Sequence, residues 1–512
     1  MQTFITQLAD KVTAVLHCFD RVIFKGHLRG LCFANGLDNF LTQQGLKLKE
    51  FGRFAQTHSE QLVLHAKSTA AKHHRPYRYL PRRLRKDEEA ARIAAELRLT
   101  KGLVCVFSEL ELCPAFKLAW GEGRPRLVST RRKCLCLYYY FLHPQLGLIH
   151  VRLQSWFPFT VQIAVNGHDW LARQMKQRGL AFTQLDNAFV HLAHPRKAQA
   201  LADQFSHQDW PALLERLARF VNPLLGSLLA GQGYYWTVDQ AEFATDILFK
   251  DRAALAPLYR ERVKHALLCF GAKDVLGFLG KKLTGHFQQT VLTDFKTRVE
   301  GMRVKHRVGK NWIKMYDKFG LLLRIETVIN HPYGFLIRRQ GIREGKPVIG
   351  WFAMTKGVTG LYRYAQVARA ANQRYLAALA VVQDPARAQR LLHDCTRRVE
   401  QGERTYRGFN PAAQEDIAVF RAVLDGAHHL HGFRNQAIRQ TLWPRAAADP
   451  ATQRRHSGRV SRLFGRLHVR GLIAKIPRSH RWRVTVDGHA FLSMSIQHHA
   501  QAYPQTLMKL AA

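Results

Sequence analysis

Carboxylates are scarce in this chain, 37 Asp+Glu against 78 Lys+Arg, so the acid-dense run GYYWTVDQAEFATDILFKD stands out. If a helix starts at Thr237 or Asp239, then Asp239, Glu242 and Asp246 fall at i, i+3 and i+7, on one face. Three carboxylates on one face repel unless a cation neutralises them, and such oxygen donors suit Mg²⁺ for phosphodiester chemistry. The same spacing also suits an acidic first turn that complements the helix dipole and pairs with a basic surface. The wider pool of acids from which two or three could converge adds Asp20, Asp317 and Glu326.

Glu326 lies in a block of period two, GMRVKHRVGKNWIKMYDKFGLLLRIETVIN, residues 301–330. Arg303, Lys305 and Arg307 alternate with Val304 and His306. After the Gly309-Lys310-Asn311 turn, Lys314 and Tyr316 alternate with Ile313 and Met315. A third strand puts Arg324 and Glu326 on the face opposite Leu323 and Ile325, so an antiparallel meander gathers Lys, Arg, Tyr and one carboxylate on one surface. A carboxylate among cations suits either a structural ion pair or a metal ligand at a phosphate site.

The elements that must position these residues read as follows. The first hundred residues have helical character, with one short extended piece at Arg21–Phe24. Residues 65–86, HAKSTAAKHHRPYRYLPRRLRK, combine basic charge with prolines and tyrosines and no helical period, the pattern of an exposed connector or of a loop that contacts nucleic acid. From Gly102 to Val165 the period drops to two: LVCVF, KCLCLYYYF, LIHVRL and FTVQIAV read as strands. The last two are expected to be antiparallel neighbours whose His150, Arg152, Gln154, Thr160, Gln162 and Asn166 share one polar face, either plain solvent surface or a nucleic-acid platform. Helices are expected over His168–Gln177, Arg196–Phe205 and Trp210–Leu229, and again over Val358–Val382 and Arg387–Arg404 as a connecting pair.

Residues 413–496 carry the strongest local pattern. Three helices are expected: one over Gln414–Leu424, a second from Gly432 to Leu442, a third over Arg454–Arg470. In the third, Val460, Leu463, Phe464 and Leu467 make an apolar stripe while the arginines lie mostly off it, and Gly471 follows at the expected stop. Leu472–Ile476 and Arg481–Thr485 then read as two short strands. This order resembles the winged-helix family of DNA-binding domains. The resemblance implies a third helix in the major groove, with Arg455, Arg459, Arg462 and Arg466 facing DNA, and a wing carrying Arg478, Arg481 and Arg483. A winged helix can also serve protein contact alone.

A net charge of +41, spread from Arg21 to Lys509 in a chain that is 47% apolar, points to a folded body that meets a polyanion. Duplex DNA is the favoured partner, with structured RNA as the other reading; Arg152, Arg303, Lys305, Arg307 and Lys314 join the C-terminal arginines as expected contacts. Eight cysteines without a C-x-x-C pair read as buried thiols, and neither a secretory signal nor a membrane span is written, so a cytoplasmic, nucleoid-associated protein is expected. Walker, zincin, nucleophile-elbow and dinucleotide fingerprints are absent. The expected fold class is multidomain α+β: antiparallel sheets with helices, then a helical connector and a C-terminal winged helix. The segments are 1–100 (helical), 101–230 (polar-faced sheet), 231–357 (basic meander), 358–412 (connector) and 413–512 (winged helix).

FDRVIFKGHLRG, WFPFTVQIAVNGHDWLARQ, LDNAF, YYWTVDQAEFATDI and IKMYDK together resemble an uncharacterised group of large basic bacterial proteins dispersed like mobile-element genes. IKMYDK followed by LLRIETVIN is also similar to the sheet segment of gene II-type phage and plasmid replication initiators, which nick DNA through a tyrosine and a metal; carried over, this implies Tyr316 as nucleophile. Those initiators hold their metal with a histidine–apolar–histidine strand, whereas the one such triplet here, His429-Leu430-His431, precedes a helix. The functions implied are a transposase or initiator-like DNA-processing enzyme, a non-catalytic RNA- or DNA-binding component, or a winged-helix transcription regulator.

Overall fold

The computed structural model of the chain describes residues 2–81, 83–121, 123–281, 287, 289–298, 301–380, 385–428, 432–444, 449–477 and 479–502. In chain order the elements are α1 (Gln2–Gln7), β1 (Val12–His27), α2 (Ala34–Gln43), α3 (Phe51–Lys72), β2 (Tyr77–Tyr79), α4 (Lys86–Glu96), β3 (Gly102–Gly121), β4 (Arg124–His143), β5 (Gly147–Gln154) and β6 (Val161–Asn166). There follow α5 (Gly167–Gln177), β7 (Phe182–Leu185), β8 (Ala188–Leu192), α6 (Pro195–Gln204), α7 (Trp210–Val221), β9 (Tyr235–Phe249), α8 (Arg252–Leu268), α9 (Ala272–Phe278), β10 (Val291–Arg298), β11 (Gly301–Val308), β12 (Asn311–Lys318) and β13 (Leu322–Ile329). The chain continues with β14 (Leu336–Arg343), β15 (Lys346–Ala353), α10 (Leu361–Leu379), α11 (Pro385–Thr396), β16 (Val399–Gln401), β17 (Arg404–Tyr406), α12 (Gln414–Val423), α13 (Asn435–Leu442), α14 (Pro450–Val469), β18 (Ile473–Lys475), β19 (Trp482–Val484) and α15 (Val486–Gln497). The fold is α+β and multidomain, with one large mixed sheet and several small antiparallel ones.

Two compact units divide the chain, and both are discontinuous. One comprises Asp10–Ala256 and Asp294–Asn372; the other comprises Met1–Ala9, Pro257–Thr293 and Gln373–Ala512. The first is built on an 11-stranded sheet in the order β10-β11-β12-β13-β9-β1-β6-β5-β4-β3-β2, so the polar-faced strands and the basic meander belong to a single sheet. Neighbours pair antiparallel from β11 to β3, while the edge strand β2 runs parallel to β3.

Four expectations change here. Arg21–Phe24 is not a short extended piece but the middle of the 16-residue β1, flanked by β6 and β9. The acidic run is strand β9, not a helix: it lies between β1 and β13 and is buried from Ala241 to Phe249, and this two-sided pairing outweighs a helical spacing. Within 65–86, α3 continues to Lys72 and Tyr77–Tyr79 docks on the sheet edge instead of forming a free connector. Similarly, the second connecting helix stops at Thr396, and Val399–Tyr406 forms the β16–β17 hairpin.

One face of the central strands is dry. Phe19 of β1 and Phe243 of β9 meet edge-on, 5.1 Å between ring centroids, and Phe19 contacts Phe205, which also touches Trp170 and Trp210. The apolar stripe of α14, Val460, Leu463, Phe464 and Leu467, is likewise buried, in the core of the second unit with Phe420, Phe433, Ile473 and Phe491. Helix α14 ends as its sequence suggests: Gly471 takes φ +68° and its N–H donates to the His468 carbonyl, while the Leu472 N–H donates to the Leu467 carbonyl. Phe433, just before α13, exchanges two backbone hydrogen bonds with Trp482 of the β18–β19 hairpin. Among the described residues no helix is long and apolar enough to cross a membrane.

Candidate functional site

The face of β1, β9, β13 and β12 opposite the aromatic cluster is charged, and the ladder register explains why. Lys314 of β12 pairs with Glu326 of β13, Tyr316 with Arg324, and Arg324 with Asp246 of β9; alternation then points all five, and Glu242, to one side. On β1 the register to β9 shifts between Phe19 and Arg21, a bulge at Asp20. Bulges re-aim side chains, and this one lets Cys18, Asp20 and Arg21 all address the same surface.

Helix α5 closes the inner end. Asn166 caps it, its side chain accepting from the His168 and Asp169 N–H groups. Gly167 approaches β1 so closely that a Cβ there would lie 2.1 Å from the Phe19 carbonyl oxygen. That approach inserts the fully buried His168 with Nε2 3.2 Å from Cys18 Sγ and 3.4 Å from Asp246 Oδ2, and Nδ1 at ion-pair distance, 3.0 Å, from Asp20 Oδ1. Arg324 binds Asp246 in a fork, Nε–Oδ1 2.6 Å and Nη2–Oδ2 2.7 Å, and Nη2 also donates to the Asn187 carbonyl at 2.8 Å. The Asn187 side chain donates to Asp20 Oδ1 at 2.8 Å.

Toward the rim, Lys314 Nζ lies 2.6 Å from Glu326 Oε1 and 3.4 Å from Glu242 Oε2, and Tyr316 donates its O–H to Glu326 Oε2. Arg21, half exposed, donates to Glu242 Oε1 at 2.7 Å. Carboxylate oxygens of Asp20, Glu242 and Glu326, all buried, lie within 4.8 Å of one another.

Burial and charge split the acids into two kinds. Burial alone would raise the Asp246 and Asp20 carboxyls, but Arg324 and His168 hold both below the ordinary carboxylate range. Burial also dominates at Glu326, where Lys314 only partly offsets it and Glu242 and Asp20 add repulsion; its carboxyl is pushed up to about 7. Burial and Glu326 push the Tyr316 phenol well above its usual value, so it is protonated at neutral pH. Burial would lower His168, but Cys18 and its hydrogen bonds to Asp20 and Asp246 raise it well above the usual imidazole range.

Of the expected site residues, Glu242, Asp246, Glu326 and Tyr316 therefore converge, and Asp239 does not. It sits at a register shift of β9 against Ile23 and Phe24, accepts from Gln162 Nε2 at 3.3 Å and lies 4.0 Å from Lys356 Nζ, away from the cluster, so the trio Asp239, Glu242 and Asp246 is not a ligand set. Asp246 is tied to Arg324. The acids that come together are Asp20, Glu242 and Glu326. Asp317 alternates to the other side of β12. Sequence reasoning does not reach His168 or Arg21; the signal for Arg21 is a charged pair, Asp20-Arg21, in the otherwise apolar VTAVLHCFDRVIF.

Several expected nucleic-acid contacts prove internal. Arg152 is not on a free platform: it donates to Glu111 at 2.8 Å and approaches the sulfurs of Cys113 and Cys136 at 3.1 and 3.0 Å. On that same face Gln154 and Thr160 are buried and bonded to each other. Lys314 belongs to the carboxylate cluster, Arg303 pairs with Asp294 at 3.0 Å, and Lys305 lies over the Trp312 ring. Arg307 is exposed. In the second unit Arg466 donates to the Arg407 and Gly408 carbonyls and covers Phe409, and Arg481 donates to the Gly432 carbonyl, which removes both from a free surface. Arg455, Arg459, Arg462 and Arg483 are exposed, with Arg459 3.6 Å from the exposed Glu415. Arg478 and the His429-Leu430-His431 triplet lie outside the described residues. Six of the eight cysteines are buried, Cys32 is half-buried and Cys269 is exposed.

No family model, curated protein or solved structure matches the chain. Its site is thus read from its own geometry.

Proposed function

We propose that the protein is a DNA-processing protein of a mobile element, bound to duplex DNA through α14 and the β18–β19 hairpin and breaking a strand at the Asp20, Glu242, Glu326 cluster. The catalytic part rests on one observation: Tyr316 donates to a carboxyl that titrates near neutral, and Lys314 holds that carboxyl from its other oxygen. A base works best with a pKa near the operating pH, and a nucleophile is recognised by contact with a base that a third group orients.

In this reading the Tyr316 oxygen bonds to the scissile phosphorus and the bond from phosphorus to the departing nucleoside oxygen breaks. Glu326 takes the phenolic proton, and the departing oxygen gains one from water. Arg21 at the rim would meet the phosphate. Asp20 and Glu242, whose carboxylate oxygens come within 4.8 Å of each other, fit Mg²⁺ as hard oxygen donors and would hold it beside Glu326, leaving Glu326 to act as the base. A bound Mg²⁺ supplies Lewis-acid stabilisation of phosphate charge.

Binding is supported by the +41 charge, which also suits a nucleoid location, and by the order of α12, α13, α14 and hairpin, that of winged-helix domains. A second reading, a binding protein without catalysis, is favoured by charge balance: Asp20, Glu242, Asp246 and Glu326 already face Arg21, Lys314, Arg324 and His168, as in a structural ion network.

Nicking of supercoiled plasmid by the full chain with Mg²⁺ or Mn²⁺ separates the two. Tyr316→Phe and Glu326→Gln should each slow nicking by at least about 100-fold while plasmid binding persists. Nicking unchanged by Tyr316→Phe sinks the tyrosine step, and binding without any wild-type nicking leaves the second reading.

A further inference from the structure

The β14–β15 hairpin stands apart from the large sheet as a two-stranded ribbon, and its two faces differ. On one, Phe352 packs on Gly341, where a Cβ would meet the end of its ring at 2.6 Å, with Arg339 and Arg343 over the ring at 5.2 and 5.8 Å. That side is braced. On the other, the cross-strand pairs Arg338–Trp351, Gln340–Ile349 and Ile342–Pro347 line up in register. Here Leu336, Ile342, Ile349 and Trp351 are 63%, 76%, 73% and 64% exposed. Four large apolar side chains in one exposed strip exceed the scatter normal for a surface.

The charge of the ribbon says what covers it. Between Leu336 and Ala353 stand Arg338, Arg339, Arg343 and Lys346 against a single acid, Glu344. The side chains of Arg338 and Lys346 make no hydrogen bond or ion pair among the described residues. On the exposed strip Arg338 stands directly across from Trp351, a cation beside an aromatic, which matches a phosphate with its base. Bases in a duplex bury their faces on one another, whereas those of a single strand leave them open to stack on an indole.

We infer that the β14–β15 hairpin is a binding arm for single-stranded nucleic acid, with Trp351 stacking on a base and its cross-strand neighbour Arg338 on the adjacent phosphate. The inference rests on the nucleic-acid part of the reading above and deepens it: strand breakage leaves a single strand to be held, and this ribbon would hold it.

The test is anisotropy of the full chain with a fluorescent single-stranded oligonucleotide and with the same sequence as a duplex. Trp351→Ala is expected to weaken single-strand binding about 5- to 100-fold and duplex binding less than about twofold, with Trp351→Phe restoring most of the affinity. Arg338→Ala should flatten the single-strand salt dependence by about 0.7 in log–log slope. An exposed indole leaves the melting temperature unchanged. Equal single-strand affinity of wild type and Trp351→Ala, with duplex binding intact, overturns the arm alone. Equal weakening on both oligonucleotides overturns the single-strand assignment, and a wild type that binds neither overturns the arm together with the nucleic-acid reading.

Discussion

Glu326 is the residue on which structure and chemistry pull hardest against each other. Its carboxyl titrates at about 7 in the fold against an ordinary 4.5, because burial and two neighbouring acids disfavour its charge more than Lys314 favours it. The folded state thus prefers the protonated form. That preference is fully present below pH 4.5 and is lost as pH rises through 7, where the ionised group must be buried. Replacing Glu326 by Gln removes the titration, so the variant's stability relative to wild type should improve between pH 4.5 and 8 by on the order of 3 kcal/mol. Urea unfolding at the two pH values measures this, and a pH-independent difference would show that Glu326 ionises freely.

Elements rather than single residues bring the site together, and α5 does so through a backbone contact. A methyl at position 167 has no room against the Phe19 carbonyl, and that atom belongs to a strand hydrogen-bonded on both sides. Gly167→Ala should therefore lift α5 and its His168 away from Asp20 and Asp246 and cost about 1–3 kcal/mol, the range of an overpacked core. Calorimetry checks the destabilisation, and an unchanged midpoint would place the start of α5 off β1. The same element explains what local sequence can and cannot reveal. Arg303 to Glu326 alternate cleanly because β11 and β12 have one wet and one dry face, so the meander and the common side of Lys314, Tyr316, Arg324 and Glu326 were legible. β9 lies centrally with both faces covered and loses its alternation; Glu242 and Asp246, four apart, satisfy helix and strand alike, and the bulge at Asp239 keeps even the odd-numbered acid off a simple strand period. His168 was hidden for a different reason. Its position depends on Gly167 meeting Phe19, a contact between residues 148 apart in the chain that no local period encodes.

At the scale of the molecule, the charge of +41 is not one binding surface. Part of it is absorbed internally, as Arg152, Arg303, Lys314, Arg324 and Arg466 show. What remains outside is distributed, including the exposed arginines of α14 and the cations of the β14–β15 ribbon. Substituting Arg459 and Arg462 together by Ala should lower the salt slope of duplex binding by about 0.9 for each phosphate no longer neutralised, leaving residual, weaker binding from the rest of the surface. A titration of affinity against salt reads this directly, and an unchanged slope would remove α14 from the interface.

The long central strand β1 has a consequence in time. It is made well before either partner, β6, beginning at Val161, or β9, ending at Phe249. At a ribosomal pace of about 5–20 residues per second, the growing chain carries an open strand edge for on the order of ten seconds or longer before β9 arrives. The nascent polypeptide must be shielded over that interval, for a strand that ends up paired along both edges waits longest for its second partner.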